Sequence, residues 1–523
     1  MSVRLSERQR VAVIPVAILA AISLALHAVV LAVTPFGVHR DEFLYFSMGN
    51  HLRLWHMDFP PAIAILGALS QTIFGHTVAA ARVFPAIQGT ILIVLAALVA
   101  REVGGGKFAQ GFAAFAVLVS PLFQRNSTLF QPVVLDQICW TVALLAIAGV
   151  VRARSESRDT MNAWILFGIA IGFGLLSKFS ILFLCASVLA AVLVTSTRRE
   201  LLTPWPWVAV LIMLVIGSPS IGGQISLHFP VVAQMRDLNA TQLQHVSAAE
   251  FLSAPILYLD PVGAIAIIAG ALAMLVWKPL KAFAVVSLSC IFAFALLLYL
   301  HGKPYYIGPI YPTLFAASGV LFERVRAVRF PRLVPVMRWA VVVLMAVFSI
   351  VTLPLGVPIL SVNTSATYAA RLAGGAALRT DRGVEDNLPQ DYADMLGWRD
   401  EAAALQAAYR SLSPTEQRDA VILTGNYGEA GAAEFYQQEF GLPPVVTPAG
   451  SFWFFGPGDR PGKVVIALGI DTTDLHKGWS SVREAGRLAR PWSVSEERGL
   501  AIYIAHDQRI TLQRAWPLLA GRQ

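Results

Sequence analysis

Long apolar stretches alternate with short charged connections over the first two thirds of the chain, and near Ser361 the pattern gives way to polar and apolar residues mixed at short range. A helix rises about 1.5 Å per residue, so roughly 20 apolar residues are needed to cross hydrocarbon. Eleven stretches approach that length, near 11–33, 80–100, 108–124, 134–151, 162–177, 179–196, 205–222, 261–277, 282–300, 305–322 and 338–360. No small-residue cleavage site precedes Pro35, so the first stretch reads as a retained anchor rather than a signal peptide. Two connections are too long for turns. Residues 35–79 contain an apolar piece, Ala62–Phe74, too short to span and expected to lie along a surface. Residues 222–260 form the second.

The spacing in the tail predicts helices over Arg399–Leu412, Tyr427–Phe440 and Ser480–Leu488, with strands at Ala420–Leu423, Val464–Leu468 and Leu500–Ala505. Strands alternating with helices suggest a small α/β sandwich with a largely parallel sheet. The expected organisation is a transmembrane domain over 1–360, with outer loops 35–79 and 222–260, followed by a soluble α/β domain over 361–523. No internal repeat is visible.

Composition sharpens this picture. Of 523 residues, 56% are hydrophobic and only 14% charged, which excludes an ordinary soluble enzyme. The tail holds 16 Lys/Arg against 19 Asp/Glu, so the formal net charge of +8 divides into +11 for the membrane body and −3 for the tail. A basic excess confined to membrane loops argues against nucleic-acid binding. It also orients the chain. Arg4, Arg8, Arg10, Arg101, Lys107, Arg152, Arg154, Arg158, Arg198, Arg199, Lys278, Lys281, Arg324, Arg326, Arg329, Arg332 and Arg338 collect on one side. The opposite loops hold only Arg40, Arg53, Arg82, Arg125, Lys178, Arg236 and Lys303. The richer side is expected to be cytoplasmic, and an odd number of spans then places the tail outside an inner (cell) membrane. Cys139, Cys185 and Cys290 all lie in apolar runs, which leaves no disulfide framework for the tail.

Ionisable groups at a membrane boundary are costly and therefore candidates for function. The densest set is His39-Arg40-Asp41-Glu42, and further outer-side groups recur at Asp58, Arg82, Asp136, Lys178 and Lys303. Loop residues His39, Asp41, Glu42, His51, His56 and Asp58 offer metal ligands, but their spacing fits no known ligand pattern, so no cofactor is expected and a divalent metal is not favoured. The run Gly425-Asn-Tyr-Gly-Glu-Ala-Gly431 follows a strand and opens a helix, yet Glu429 in the first turn would repel a phosphate, and Gly425 and Gly428 suit a turn.

Several of these residues carry a family resemblance. The acidic pair beyond the first span, Pro60-Pro61 and Ala80-Ala-Arg-Val-Phe-Pro-Ala-Ile-Gln-Gly89 resemble the polyprenyl-phosphate-sugar glycosyltransferases related to protein O-mannosyltransferases and lipid A aminoarabinose transferase, family 39 and its neighbours. The likeness continues through Leu135-Asp136, Gly174-Leu-Leu-Ser-Lys178, Gln224 with His228-Phe-Pro230, Lys303-Pro-Tyr305-Tyr306, Tyr311-Pro312 and Tyr427-Gly-Glu-Ala-Gly431, in order over most of the chain. The resemblance implies a polytopic α-helical membrane protein with a C-type glycosyltransferase fold. It implies a sugar donated from a polyprenyl-phosphate carrier to a glycan, lipid or protein acceptor, with inversion at the anomeric carbon. Protein-mannosylating relatives are regarded as metal-independent.

By the same resemblance Asp41 matches the catalytic carboxylate, and Glu42 orients Arg82 or the acceptor. Arg82, Lys178 and Lys303 would stabilise charge on the leaving phosphate. Asp58, Gln224 and His228 are candidate substrate contacts. Asp136 is either another such contact or the counter-ion of Arg125 or Lys178. Tyr305, Tyr306 and Tyr311 either stack on a sugar or belong to an interfacial belt. Aminoarabinose transferases carry a lysine directly before the Pro-Pro, whereas here the stretch reads Met57-Asp58-Phe59-Pro60-Pro61, which points to another sugar or acceptor. A lipid-linked glycan transporter or flippase would also need a polar cavity, but it fits poorly with boundary charges and no inverted repeat. A lipid-linked oligosaccharide polymerase would not be expected to combine the Asp-Glu pair with Lys-x-Tyr-Tyr.

Overall fold

The computed structural model describes residues 9–325, 333–374, 378–380 and 382–519. Of the cations on the expected cytoplasmic side, Arg4, Arg8, Arg326, Arg329 and Arg332 lie outside the described residues. The chain divides into two compact units. One comprises Met1–Ala32 and Arg82–Val357, the other Val33–Ala81 and Pro358–Gln523. The segment 35–79, read from the sequence as an outer loop, therefore falls in the same unit as the tail.

In the first unit, small residues let helices approach to backbone contact. A Cβ on Gly168 would sit 2.6 Å from the Ala209 carbonyl oxygen, and one on Gly319 would sit 2.7 Å from that of Ala109. Among the described residues six helices are long and apolar enough to cross a membrane: Val13–Val33, Val78–Glu102, Pro132–Ser155, Trp205–Ser226, Lys281–Tyr299 and Val334–Gly356. The number rises to eight if two bent pairs each count as one span. These are Ile181–Val194 with Ser196–Leu202, bent by 106°, and Ala248–Leu259 with Pro261–Val276, bent by 109°. The sequence suggested eleven, and the difference has local causes. Lys107–Val119 and Met161–Ser177 are helices of only 13 and 17 residues. The stretch 305–322 begins with a 3₁₀ segment, Pro304–Ile310, and only its remainder joins the 14-residue helix Tyr311–Arg324. Proline donates no backbone hydrogen bond, and Pro304, Pro309 and Pro312 hold that break open. Some of the loop cations are bound internally. Arg152 is 1% exposed and faces Glu102 at 3.4 Å, and Arg154 reaches Glu200 at 3.4 Å.

The second unit contains helices Arg40–Asn50 and Ala62–Phe74, the latter with the limits its apolar pattern predicts. Its sheet has five strands, β1 (Ala420–Thr424), β2 (Val445–Val446), β3 (Val464–Leu468), β4 (Trp479–Arg487) and β5 (Ala501–Gln508), in the order β2-β1-β3-β5-β4. Every residue of β1 and β3 is buried. Ile422 and Ile466 pack with Leu405 on one face, while Val421 and Val465 pack with Trp479 and Trp516 on the other. Two expectations are corrected here. The helix expected at Ser480–Leu488 is strand β4, and the sheet is mixed: β1 pairs parallel with β2 and β3, while β5 runs antiparallel to both β3 and β4. Pairing with β5 overrides the weak helical spacing of 480–488, a stretch exposed along much of its length.

Candidate active site

The Asp-Glu pair sits at the start of helix Arg40–Asn50, where unpaired N–H groups and the helix dipole favour negative charge. The buried His39 caps this end. Its Nδ1 accepts from the Asp41 N–H at 3.1 Å, so Nε2 carries the ring proton and faces Asp391 and Asp394, each 3.8 Å away. Glu42 is fully buried and closes a capping box by accepting from the His39 N–H at 2.6 Å. Asp41 accepts on Oδ1 a 2.9 Å hydrogen bond from the Tyr427 hydroxyl. The Arg40 guanidinium lies over the Tyr427 ring, 5.1 Å from its centroid, and reaches Glu496 at 3.9 Å. Burial pushes Asp394 up to about 7, against the opposing charge of Arg40. Burial and then the Asp41 charge push the Tyr427 phenol far up, so it remains a donor across the physiological range.

Tyr427 and Asp394 were not singled out by sequence reasoning. The run Tyr427–Gly431 stands out in the sequence only as one of the family-like segments and as the start of a predicted helix. Its polar partner stands 386 positions away, and no local pattern carries that information. Asp58, also in this unit, accepts from the Ser451 hydroxyl at 2.7 Å, and burial raises its pKa. His51 stacks on Phe455 at 4.4 Å and faces Glu434 at 3.4 Å. His51 and Asp58, two of the loop groups considered as metal ligands, thus engage separate partners. Among the described residues no three His, Cys, Asp or Glu side chains gather into a metal-holding group.

In the first unit the structure brings together Asp136, Lys178, Tyr305 and Tyr306. Asp136 lies in the buried opening turns of Pro132–Ser155, where it accepts from Trp140 Nε1 at 3.1 Å and Ser180 Oγ at 2.8 Å. Lys178, at the break after Met161–Ser177, acts on the same carboxylate by its charge. Its Nζ lies 4.2 Å from the Tyr306 ring centroid and 5.4 Å from that of Tyr305, and the two rings meet edge to face at 4.7 Å. Lys303 stands half-buried at the head of Pro304–Ile310. Arg82 is 4% exposed within Val78–Glu102. Gln224 and His228 occupy a different place, the end of Trp205–Ser226 and the turn after it. The buried Gln224 Oε1 accepts from the Val231 N–H at 3.1 Å, while His228 is exposed. His228 and Phe229 both have φ of 60°, a conformation that costs a non-glycine residue roughly 1–2 kcal/mol. Gln224 therefore braces a strained turn that presents His228.

The model of the family described as dolichyl-phosphate-mannose-protein mannosyltransferase matches residues 58–222. No curated protein matches the chain. Among solved structures, ArnT from Cupriavidus metallidurans bound to undecaprenyl phosphate aligns with a TM-score of 0.57 at 15% identity, over 94% of this chain and 97% of that one. Its apo state aligns with the same score at 16% identity and the same coverage. An oligosaccharyltransferase from Archaeoglobus fulgidus, tethered with an acceptor peptide containing the NVT sequon, gives 0.51 at 17% identity, over 84% of this chain and 64% of that one. At these identities the likeness is one of fold. It bears out the multi-span membrane protein of C-type glycosyltransferase fold with a small C-terminal sheet domain, and the family match bears out the resemblance over residues 58–222.

Proposed function

We propose that the chain is an integral-membrane glycosyltransferase that moves a sugar from a polyprenyl-phosphate carrier to an extracytoplasmic glycan, lipid or protein acceptor. The family match over 58–222 and the fold shared with ArnT support this reading, and one observation carries its chemistry. Asp41 is held at a helix N-terminus by a hydroxyl donor, with Arg40 beside it, which is how a carboxylate is fixed for base catalysis.

In the reaction Asp41 takes the proton of the acceptor hydroxyl as that oxygen attacks the anomeric carbon. The carbon–oxygen bond to the phosphate breaks with inversion, and the electron pair leaves on the polyprenyl phosphate. Arg82, Lys178 and Lys303 bind the donor phosphate and stabilise the charge it gains. Asp136 and the Tyr305–Tyr306 pair set the position of Lys178. Asp58 and His228 are acceptor- or sugar-side contacts, Gln224 acts through the turn that carries His228, and Glu42 acts through the cap that fixes Asp41. No metal or other cofactor takes part. The N-terminus faces the cytoplasm and the 361–523 domain lies on the outer side of the inner membrane, an orientation that counts the shorter helices Lys107–Val119, Met161–Ser177 and Tyr311–Arg324 as spans beside the eight, eleven in all.

Glycolipid and glycoprotein profiles of a deletion strain test this reading. A species lost on deletion should return with the wild-type chain and not with Asp41→Asn. Identical profiles with and without the chain would overturn it.

A further inference from the structure

We propose that Tyr427, on the C-terminal segment, is a positioning residue for Asp41, so that the tail completes the catalytic apparatus. The proposal rests on Asp41 being the base.

The phenol is mounted on a stiff support. Tyr427 is the first residue of helix Tyr427–Phe435, whose cap Asn426 accepts from the Glu429 N–H at 3.0 Å. The buried Glu429 in turn accepts from the N–H groups of Gly425 and Asn426 at 3.0 and 3.3 Å. Asn426 also donates to Glu497 at 3.0 Å, and Glu497 is held by the buried Arg490 at 3.2 Å. The turn that carries the hydroxyl is therefore fixed on both sides.

The approach of this helix to the one bearing Asp41 depends on two absent side chains. A Cβ on Gly428 would lie 2.6 Å from Arg40 Cγ, and one on Gly431 would lie 2.7 Å from Phe43 Cβ and 3.0 Å from its backbone carbon. Gly428, which the sequence alone assigned to a turn, and Gly431 thus let the two helices close until the hydroxyl reaches Asp41 Oδ1 at 2.9 Å. Packing alone would not require the hydroxyl, because a phenylalanine ring would fill the same space under Arg40.

A base that must meet an acceptor in one geometry gains from a donor that fixes the rotation of its carboxylate. Loss of the donor should lower turnover while leaving donor-lipid affinity alone, because the hydroxyl is assigned no contact with the phosphate.

The test uses full-length protein in nanodiscs, with membranes of a deletion strain as acceptor. Radiolabelled undecaprenyl-phosphate mannose, glucose, galactose and aminoarabinose are each supplied as donor. Tyr427→Phe should lower kcat roughly tenfold or more, the scale of a hydrogen bond to a charged group, with affinity for undecaprenyl phosphate unchanged. In an Asp41→Asn background the same substitution should add little, since the two groups act as a unit. Should Tyr427→Phe fold poorly, 3-fluorotyrosine and 2,3-difluorotyrosine at position 427 keep the shape and change the acidity of the donor, and kcat should change progressively along that series. Wild-type kcat in Tyr427→Phe, equal rates along the fluorinated series, or additive losses in the double variant would each overturn the positioning role. An active Asp41→Asn, or a wild-type chain inactive with all four donors, would overturn the function on which the role rests.

Discussion

Lys178 offers a sharp division between a structural and a catalytic role. Its ammonium stands 4.2 Å from the Tyr306 ring centroid and 5.4 Å from that of Tyr305, and its charge acts on Asp136. Lys178→Gln removes the charge and keeps much of the length. The structural cost has two parts. The cation–aromatic attraction contributes about 0.5–2 kcal/mol. Asp136, 4% exposed, is left with Trp140 and Ser180 as its hydrogen-bond donors, and weakening the compensation of a buried charge costs about 1–3 kcal/mol. Lys178→Gln should therefore melt several degrees below wild type whether or not the residue touches substrate. Affinity separates the two roles. A hydrogen bond to a charged group is worth about 1.5–3 kcal/mol, so loss of a phosphate contact weakens undecaprenyl phosphate binding by roughly 10- to 150-fold. Turnover should fall as well, because the phosphate gains charge as the bond breaks. Lys178→Arg keeps the charge but spreads it over a planar fork, and it should also bind less tightly. The measurement is a titration of undecaprenyl phosphate against each variant in nanodiscs beside its melting curve. Lowered melting with unchanged affinity in both variants would remove Lys178 from the phosphate and leave it as the partner of Asp136.

Two further outcomes are expected elsewhere in the chain. Burial pushes Glu401 up to about 8, against the charge of Arg490 and with that of Glu497. The folded state therefore holds a proton that the unfolded state releases near 4.5, so this contribution to stability is complete below about pH 4.5 and lost as pH rises through about 8. Glu401→Gln should flatten that dependence, and its melting temperature relative to wild type should rise between pH 5 and 8; a constant difference would contradict the assignment. Cys139 and Cys290 are buried and Cys185 is half-buried in the first unit, so a cysteine at the exposed Ser480 of β4 gives a clean topology probe. Ser480→Cys should react with an impermeant thiol reagent in intact cells or spheroplasts, and labelling only after lysis would reverse the orientation.

What the sequence reveals depends on the range of the interactions involved. Ala62–Phe74 and Val464–Leu468 were legible because each is a short apolar run whose limits are set by neighbouring prolines, glycines or polar residues. Lys178 was legible as a residue between two spans, since a lysine interrupts an apolar pattern. The span at 261–277 was read as a separate helix. Its junction with Ala248–Leu259 is made by Asp260, which takes a φ of 78° and caps the next helix through Gly263 at 2.7 Å. Hydropathy does not report such a bend. Strand β4 was misread because only its pairing with β5 makes it a strand. The link between Tyr427 and Asp41 lay out of reach for the same reason: it is made by the fold and not by either segment alone.

The most direct test of the account is sugar transfer by the purified full-length chain. Wild-type protein and Asp41→Asn, matched in melting temperature and in undecaprenyl phosphate affinity, are supplied with labelled polyprenyl-phosphate sugars and acceptor membranes. The account predicts transfer by wild type and a loss of about 10²-fold or more in Asp41→Asn, the usual scale for removing a general base. Near-normal transfer by a folded Asp41→Asn protein would contradict it.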